Sequence, residues 1–120
     1  MQQIFRSRAS MLIGCALLAA CAPDAWKPDQ PYQQFLNSVQ NLCYYKSISS
    51  TNVGFLLQPS GSDNQAYFLD VTSRLYAGQI STQDWTMMVT SQLQANATDP
   101  GVECLLDVYA KDQNKPKPKQ

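Results

Sequence analysis

From Tyr32 onward the apolar residues recur at helical spacing. Tyr32, Phe35, Leu36, Val39, Leu42 and Cys43 fall on one face of a 3.6-residue turn, which predicts an amphipathic helix with Cys43 on its apolar side. A second helix is predicted from Ser62, because Ser62-x-x-Gln65 has the form of a capping box. Its stripe is Tyr67, Phe68, Val71 and Leu75, and Gly78 stands where a left-handed residue closes a helix. The next start is marked twice. Ser81-x-x-Asp84 resembles a capping box with aspartate in place of Glu or Gln, and Ile80 and Trp85 hold the two positions of a hydrophobic staple. That helix runs on through Met88, Val89 and Leu93. Thr98-Asp99-Pro100-Gly101 then reads as a turn, with Asp99 as N-cap and Pro100 at the first helical position. Val102, Leu105, Leu106 and Tyr109 form the last stripe, with Cys104 at its flank.

Residues 47–62 break the pattern. They are rich in Ser, Thr, Asn, Gly and Pro around an apolar island of Val53, Phe55, Leu56 and Leu57, which fits a short helix or an extended segment docked on the core. No alternation of apolar and polar residues survives four or more positions, so strands are not predicted. The expected fold class is all-α, a small bundle of about four helices spanning residues 32–110. Two flanking segments lie outside it. Residues 21–31 carry three prolines and read as an extended tether, in which the indole of Trp26 suits either a headgroup region or the domain surface. Residues 111–120 hold Lys115-Pro116-Lys117-Pro118-Lys119, a basic tail that cannot fold by itself.

The N-terminus has a different logic. Arg6 and Arg8 precede an apolar stretch from Ala9 to Ala20, which is the order of a secretory signal. At about 12 residues the stretch is short of the roughly 18–20 that span a bilayer. Signal cleavage favours small residues, yet Leu18 stands where one is wanted, and a cysteine follows. The run Leu18-Ala19-Ala20-Cys21 resembles the lipobox of bacterial lipoproteins. The resemblance implies that residues 1–20 are removed and that Cys21 becomes the first residue, with diacylglycerol on its thiol and an N-acyl chain such as palmitate. Leu12-Ile13-Gly14-Cys15 is a second fit, but it leaves almost no apolar stretch ahead of it. Ala22, rather than aspartate, implies sorting to the outer membrane if the cell is Gram-negative. One acyl chain binds a membrane marginally and two or more hold it stably, so the resemblance implies an anchored chain facing the periplasm, with the cell surface as the other side open to it.

Processing also sorts the cysteines. Cys15 leaves with the signal and Cys21 takes the lipid, so Cys43 and Cys104 remain in an oxidising compartment. A disulfide between them is predicted, closing a loop of about 60 residues and contributing roughly 4 kcal/mol. Charge changes likewise. The mature chain carries seven basic against nine acidic side chains, and between Asp29 and Ala110 only Lys46 and Arg74 oppose seven carboxylates. A body of net charge −5 argues against nucleic acid as a partner, because phosphate neutralisation needs clustered Lys and Arg.

Candidate chemistry is thin. The chain has no histidine, which removes Ser-His-Asp and Cys-His catalysis, and it has too few thiols for a metal site. Asp99, Glu103 and Asp107, four residues apart, are the only candidate acid/base group; capping, dipole complementation and solvation account for them without catalysis. No enzyme, cofactor, metal or small-molecule substrate is therefore expected. Tyr44, Tyr45, Leu69, Tyr76 and Met87 lie off the main stripes and are the candidate partner-binding surface, since exposed aromatic and Met side chains suit a partner helix. Scattered exposure of this kind also occurs without function in a domain of this size. The lipobox, the small helical domain and a disulfide joining early and late helices resemble the architecture of secretion-system pilotins. No pilotin sequence motif matches residue by residue, so no binding residues are carried over. The expected role is binding or assembly of another envelope protein complex at the membrane. A periplasmic chaperone, or an inhibitor of an envelope enzyme, is the alternative.

Overall fold

Helix starts in this chain are set by short-range hydrogen bonds. The computed structural model describes residues 30–59 and 61–116. The signal segment 1–20, Cys21, the tether as far as Asp29, and Lys117 and Lys119 lie outside the described residues. The elements run in the order α1 (Gln30–Cys43), β1 (Ser47–Ile48), β2 (Thr51–Asn52), α2 (Val53–Leu56), α3 (Asp63–Tyr76), α4 (Thr82–Leu93) and α5 (Pro100–Gln113). The fold is thus a helical bundle of four long helices, with one helical turn and a two-stranded hairpin between the first two.

Both predicted capping boxes form. Ser62 Oγ accepts from the Gln65 N–H at 3.2 Å while Gln65 Oε1 accepts from the Ser62 N–H at 3.2 Å. Ser81 and Asp84 make the same exchange at 3.0 and 3.3 Å. Gly78 takes φ +75° and ends α3 as expected: its N–H reaches the Leu75 carbonyl and the Gln79 N–H reaches that of Arg74. Those two bonds satisfy carbonyls that the helix leaves open.

Several boundaries differ from the sequence pattern. α1 begins at Gln30, so Pro31 belongs to its first turn rather than to the tether; a proline is tolerated there because its missing N–H has no intrahelical partner. α5 continues past Ala110 to Gln113, with Lys111 in its last turn beside the negative end of the helix dipole and paired with Asp107 at 2.9 Å. The open segment resolves into both of its alternatives: a hairpin, with Ser47 opposite Asn52 and Ile48 opposite Thr51, followed at once by the single turn α2.

The helices alternate in direction, which gives the bundle two poles. Cys43 at the end of α1 is bonded to Cys104 near the start of α5, so these helices are antiparallel. The last turn of α3 returns to the start of α1, where the Tyr76 ring stacks on Phe35 at 5.2 Å and meets Tyr32 at 5.3 Å. Tyr109 Oη of α5 donates to the Leu75 carbonyl at 3.4 Å at the same level. α4 runs back along α3: Trp85 Nε1 donates to Thr72 Oγ1 at 3.1 Å and Tyr67 Oη to the Met88 carbonyl at 3.4 Å. One pole, the terminal pole, holds the start of α1 and the ends of α3 and α5. The other, the disulfide pole, holds Cys43–Cys104, the hairpin, α2 and the start of α3.

The core joins every element. Phe35, Val39 and Cys43 of α1 meet Ile48, Val53 and Leu56, then Phe68, Val71 and Leu75 of α3, Trp85 and Val89 of α4, and Val102, Leu105 and Val108 of α5. Burial of such side chains contributes about 1.5–3 kcal/mol each. The polar atoms brought along are satisfied. Gln65 is buried, and beyond its capping bond its Nε2 donates to the Phe55 carbonyl at 2.8 Å, fastening α2 to α3. Among the described residues no buried side-chain N or O lacks a partner.

Candidate interaction surface

Apolar stripes on these helices are narrower than the sequence pattern implies. Leu42 sits at the edge of the α1 stripe and is 64% exposed, because α5 and the disulfide cover only the arc around Phe35, Val39 and Cys43. Tyr45, just beyond the helix, is 84% exposed. Phe55 of α2 is 48% exposed, because its neighbours Val53, Gly54 and Leu56 take the inward positions of that single turn. Leu42, Tyr45 and Phe55 all belong to the disulfide pole. Met87, on the outer face of α4, is 63% exposed away from it.

The five residues expected to form a partner surface are therefore separated by the fold. Tyr45 and Met87 are exposed. Tyr44 is half-buried: its ring lies over Gly54 so closely that a Cβ there would fall inside it, and it meets the Tyr45 ring edge-on at 4.8 Å. Leu69 is half-buried on α3. Tyr76 packs on the core at the terminal pole, in the aromatic cluster with Tyr32, Phe35 and Tyr109. In that cluster burial, followed by the nearby Asp70 carboxylate, pushes the Tyr32 phenol from 10.0 up to about 12. Leu42 and Phe55 were not among the expected residues. The signal that finds them is position at the margin of a stripe, in a segment whose partner helix comes from elsewhere in the chain.

Two concavities accompany these surfaces. A groove of about 440 Å³ runs between α4 and α5, lined by Met87, Leu106, Ala97 and the methyl-bearing Thr82, Thr86 and Thr90. A second, of about 330 Å³, lies at the terminal pole between Gln30, Pro31 and Gln34 of α1 and Asp112, Gln113 and Lys115 at the end of α5.

The three carboxylates of α5 serve separate purposes. Asp99 is the N-cap by position, but its side chain does not cap the helix. Its Oδ2 instead accepts from the Ser49 N–H at 2.8 Å and from the Asn96 N–H at 3.3 Å. Ser49 is a non-glycine residue at φ +57° in the hairpin turn, so this bond holds a conformation that serine resists. Asp107 pairs with Lys111 on the surface, and Glu103 is exposed. Among the described residues no group of three His, Cys, Asp or Glu side chains is placed to hold a metal, and no helix is long and apolar enough to cross a membrane. No protein-family model, curated protein or solved structure matches this chain.

Proposed function

We propose that this protein is a lipid-anchored binding or assembly factor at the periplasmic face of the outer membrane, acting without catalysis on another envelope protein through its disulfide pole. The observation that carries the reading is the placement of Leu42, Tyr45 and Phe55 at one pole and of both ends of the described chain at the other. An exposed aromatic such as Tyr45 provides contact area at small entropic cost, and apolar anchors of this kind dominate protein recognition. Attachment through Cys21 at the far side of the tether leaves that pole free to meet a partner. The lipobox supports the anchor, and the disulfide between the first and last helices agrees with a pilotin-like adaptor.

A photocrosslinking residue at position 45, used in intact cells, tests the reading. It is expected to capture one dominant subunit of an envelope complex, and a crosslinker at Gln83 on α4 is expected not to. Many unrelated clients from position 45 would favour a chaperone, and a single captured enzyme would favour an inhibitor. Cys21→Ser is expected to move the protein from the membrane to the soluble fraction; retention at the membrane would remove the anchor from the proposal.

A further inference from the structure

The bundle is built from two packed pairs, α3 with α4 and α1 with α5, and the seam between the pairs stays open. That seam is the groove of about 440 Å³ with Met87 on its α4 side and Leu106 on its α5 side. Its α4 wall is more apolar than its threonines suggest. Thr86 Oγ1 donates to the Thr82 carbonyl and Thr90 Oγ1 to the Thr86 carbonyl, each at 2.7 Å. A hydroxyl bound to its own helix leaves the methyl group to the groove. No charged residue lines it. Charge lies at the rim instead, and it is of one sign. α4 contains no basic residue. On α5, Glu103 stands one turn before Leu106 and Asp107 directly after it, both exposed. Asp107 shares its charge with Lys111 at 2.9 Å, whereas Glu103 makes no ion pair among the described residues.

We propose that this groove binds a short cationic amphipathic peptide as a helix, with its apolar residues against Met87 and Leu106 and its Lys or Arg side chains against Glu103 and Asp107. Helix-in-groove recognition uses an apolar floor and anchors three or four residues apart, and Thr82, Thr86 and Thr90 repeat at that spacing. From Thr82 to Thr90 the wall runs about 12 Å, or two turns of helix, so a peptide fills it and no folded partner is required. Met87, exposed and unbranched, adapts to whichever apolar side chain it meets. The rim then selects by charge. Residues 29–110 carry a net −5, which draws a cationic peptide toward the body and repels an acidic one. This site lies away from the disulfide pole and does not depend on the role proposed for that pole. Its occupant is a peptide and not the envelope subunit met there, so a crosslinker at Gln83 stays silent toward that subunit.

The test titrates the full chain carrying Cys21→Ser, free of lipid and detergent, into a fluorescent amphipathic peptide of leucine and lysine about 14 residues long. A second peptide has glutamate in place of each lysine. The lysine peptide is expected to bind, more weakly as salt rises, and the glutamate peptide is expected not to. Met87→Lys, at an exposed position outside the core, is expected to weaken binding at least about tenfold. Glu103→Gln is expected to weaken it about two- to fivefold, and Tyr45→Ala not at all. Binding of neither peptide, equal binding of both, or binding indifferent to Met87→Lys and Glu103→Gln would overturn the proposal. Loss of binding through Tyr45→Ala would overturn it too, by placing the peptide at the disulfide pole. So would a dimer in sedimentation that Met87→Lys dissociates, which would put a second copy of this chain in the groove.

Discussion

Gln94, like Ser49, is a non-glycine residue held at positive φ among the described residues. It closes α4 with φ +53°, and the Ala95 N–H reaches the Thr90 carbonyl at 2.9 Å, so it occupies the left-handed closing position that Gly78 fills at the end of α3. A side chain in that region costs about 1–2 kcal/mol, and glycine returns about 0.4–1 kcal/mol of that through the freedom of the unfolded chain. Gln94→Gly is therefore expected to stabilise by about 0.5–1 kcal/mol, read as a rise in the thermal midpoint. Thr72 is the opposite case. Its hydroxyl is the acceptor for the buried Trp85 indole, and Thr72→Val keeps the shape while leaving that donor unpaired. A loss of about 1–3 kcal/mol is expected in chemical unfolding followed by fluorescence. Tyr32 links stability to pH. Its folded-state value lies above the unfolded 10.0, so the fold favours the neutral phenol; the contribution is complete below pH 10 and lost as pH rises through about 12. Tyr32→Phe is expected to flatten that alkaline loss in unfolding curves taken across the same range. The two serine caps were readable in the sequence because each is an exchange between residues three apart. The Asp99–Ser49 bond was not, because its partners are fifty residues apart and aspartate before proline has an ordinary local explanation as an N-cap.

At the scale of elements, the hairpin shows how a segment with no pattern of its own acquires structure. Its strands are two residues long, too short for an alternation to declare itself, and an isolated pair of that length is not stable in water. α5 supplies what is missing. Val102 and Leu105 belong to the core that receives Ile48 and Val53, Asp99 holds the turn, and Gly101 lets the backbones approach. A Cβ on Gly101 would stand 2.6 Å from Ile48 Cγ1, 2.8 Å from Val53 Cγ2 and 2.9 Å from the Ser47 carbonyl carbon. Two side chains can shift, but the backbone atom belongs to the hairpin itself, so Gly101→Ala is expected to push β1 off α5. The cost should be about 1–3 kcal/mol, with a matching fall in thermal midpoint and increased amide exchange confined to residues 47–53. Intact exchange protection there would mean that the contact is relieved elsewhere. The same dependence explains the surface. Periodicity locates the middle of an apolar stripe, where Phe35 and Val39 sit, but its width is set by the neighbour that covers it. Leu42 and Phe55 are exposed because nothing in the described chain covers their side of α1 and α2, whereas Tyr76, off its own stripe, is taken up by the aromatic neighbours Tyr32 and Phe35 of α1.

For the molecule as a whole, the two poles are held by different forces. The terminal pole depends on stacked, tilted and edge-on ring contacts among Tyr32, Phe35, Tyr76 and Tyr109 and on the Tyr109–Leu75 hydrogen bond. The disulfide pole has a covalent tie between residues 61 apart, plus the hairpin and α2, which have little internal stability. Closing a loop of that length removes enough freedom from the unfolded chain to stabilise the fold by about 4 kcal/mol. Small domains hold about 5–15 kcal/mol in total, so the tie is a large share of the whole. Reduction, or the pair Cys43→Ala and Cys104→Ala, is thus expected to lower the unfolding free energy by roughly that amount. Entropy of the unfolded chain falls on no single part of the native fold, but the lost tie does. Cys43 is fully buried between α1 and the start of α5, while the aromatic cluster lies at the other end of both helices. Amides at the end of α1, from Val39 to Cys43, should gain exchange on reduction before those from Tyr32 to Leu36. The reverse order would mean that the aromatic pole is the weaker one, and that the pole presenting Leu42 and Tyr45 does not owe its shape to the disulfide.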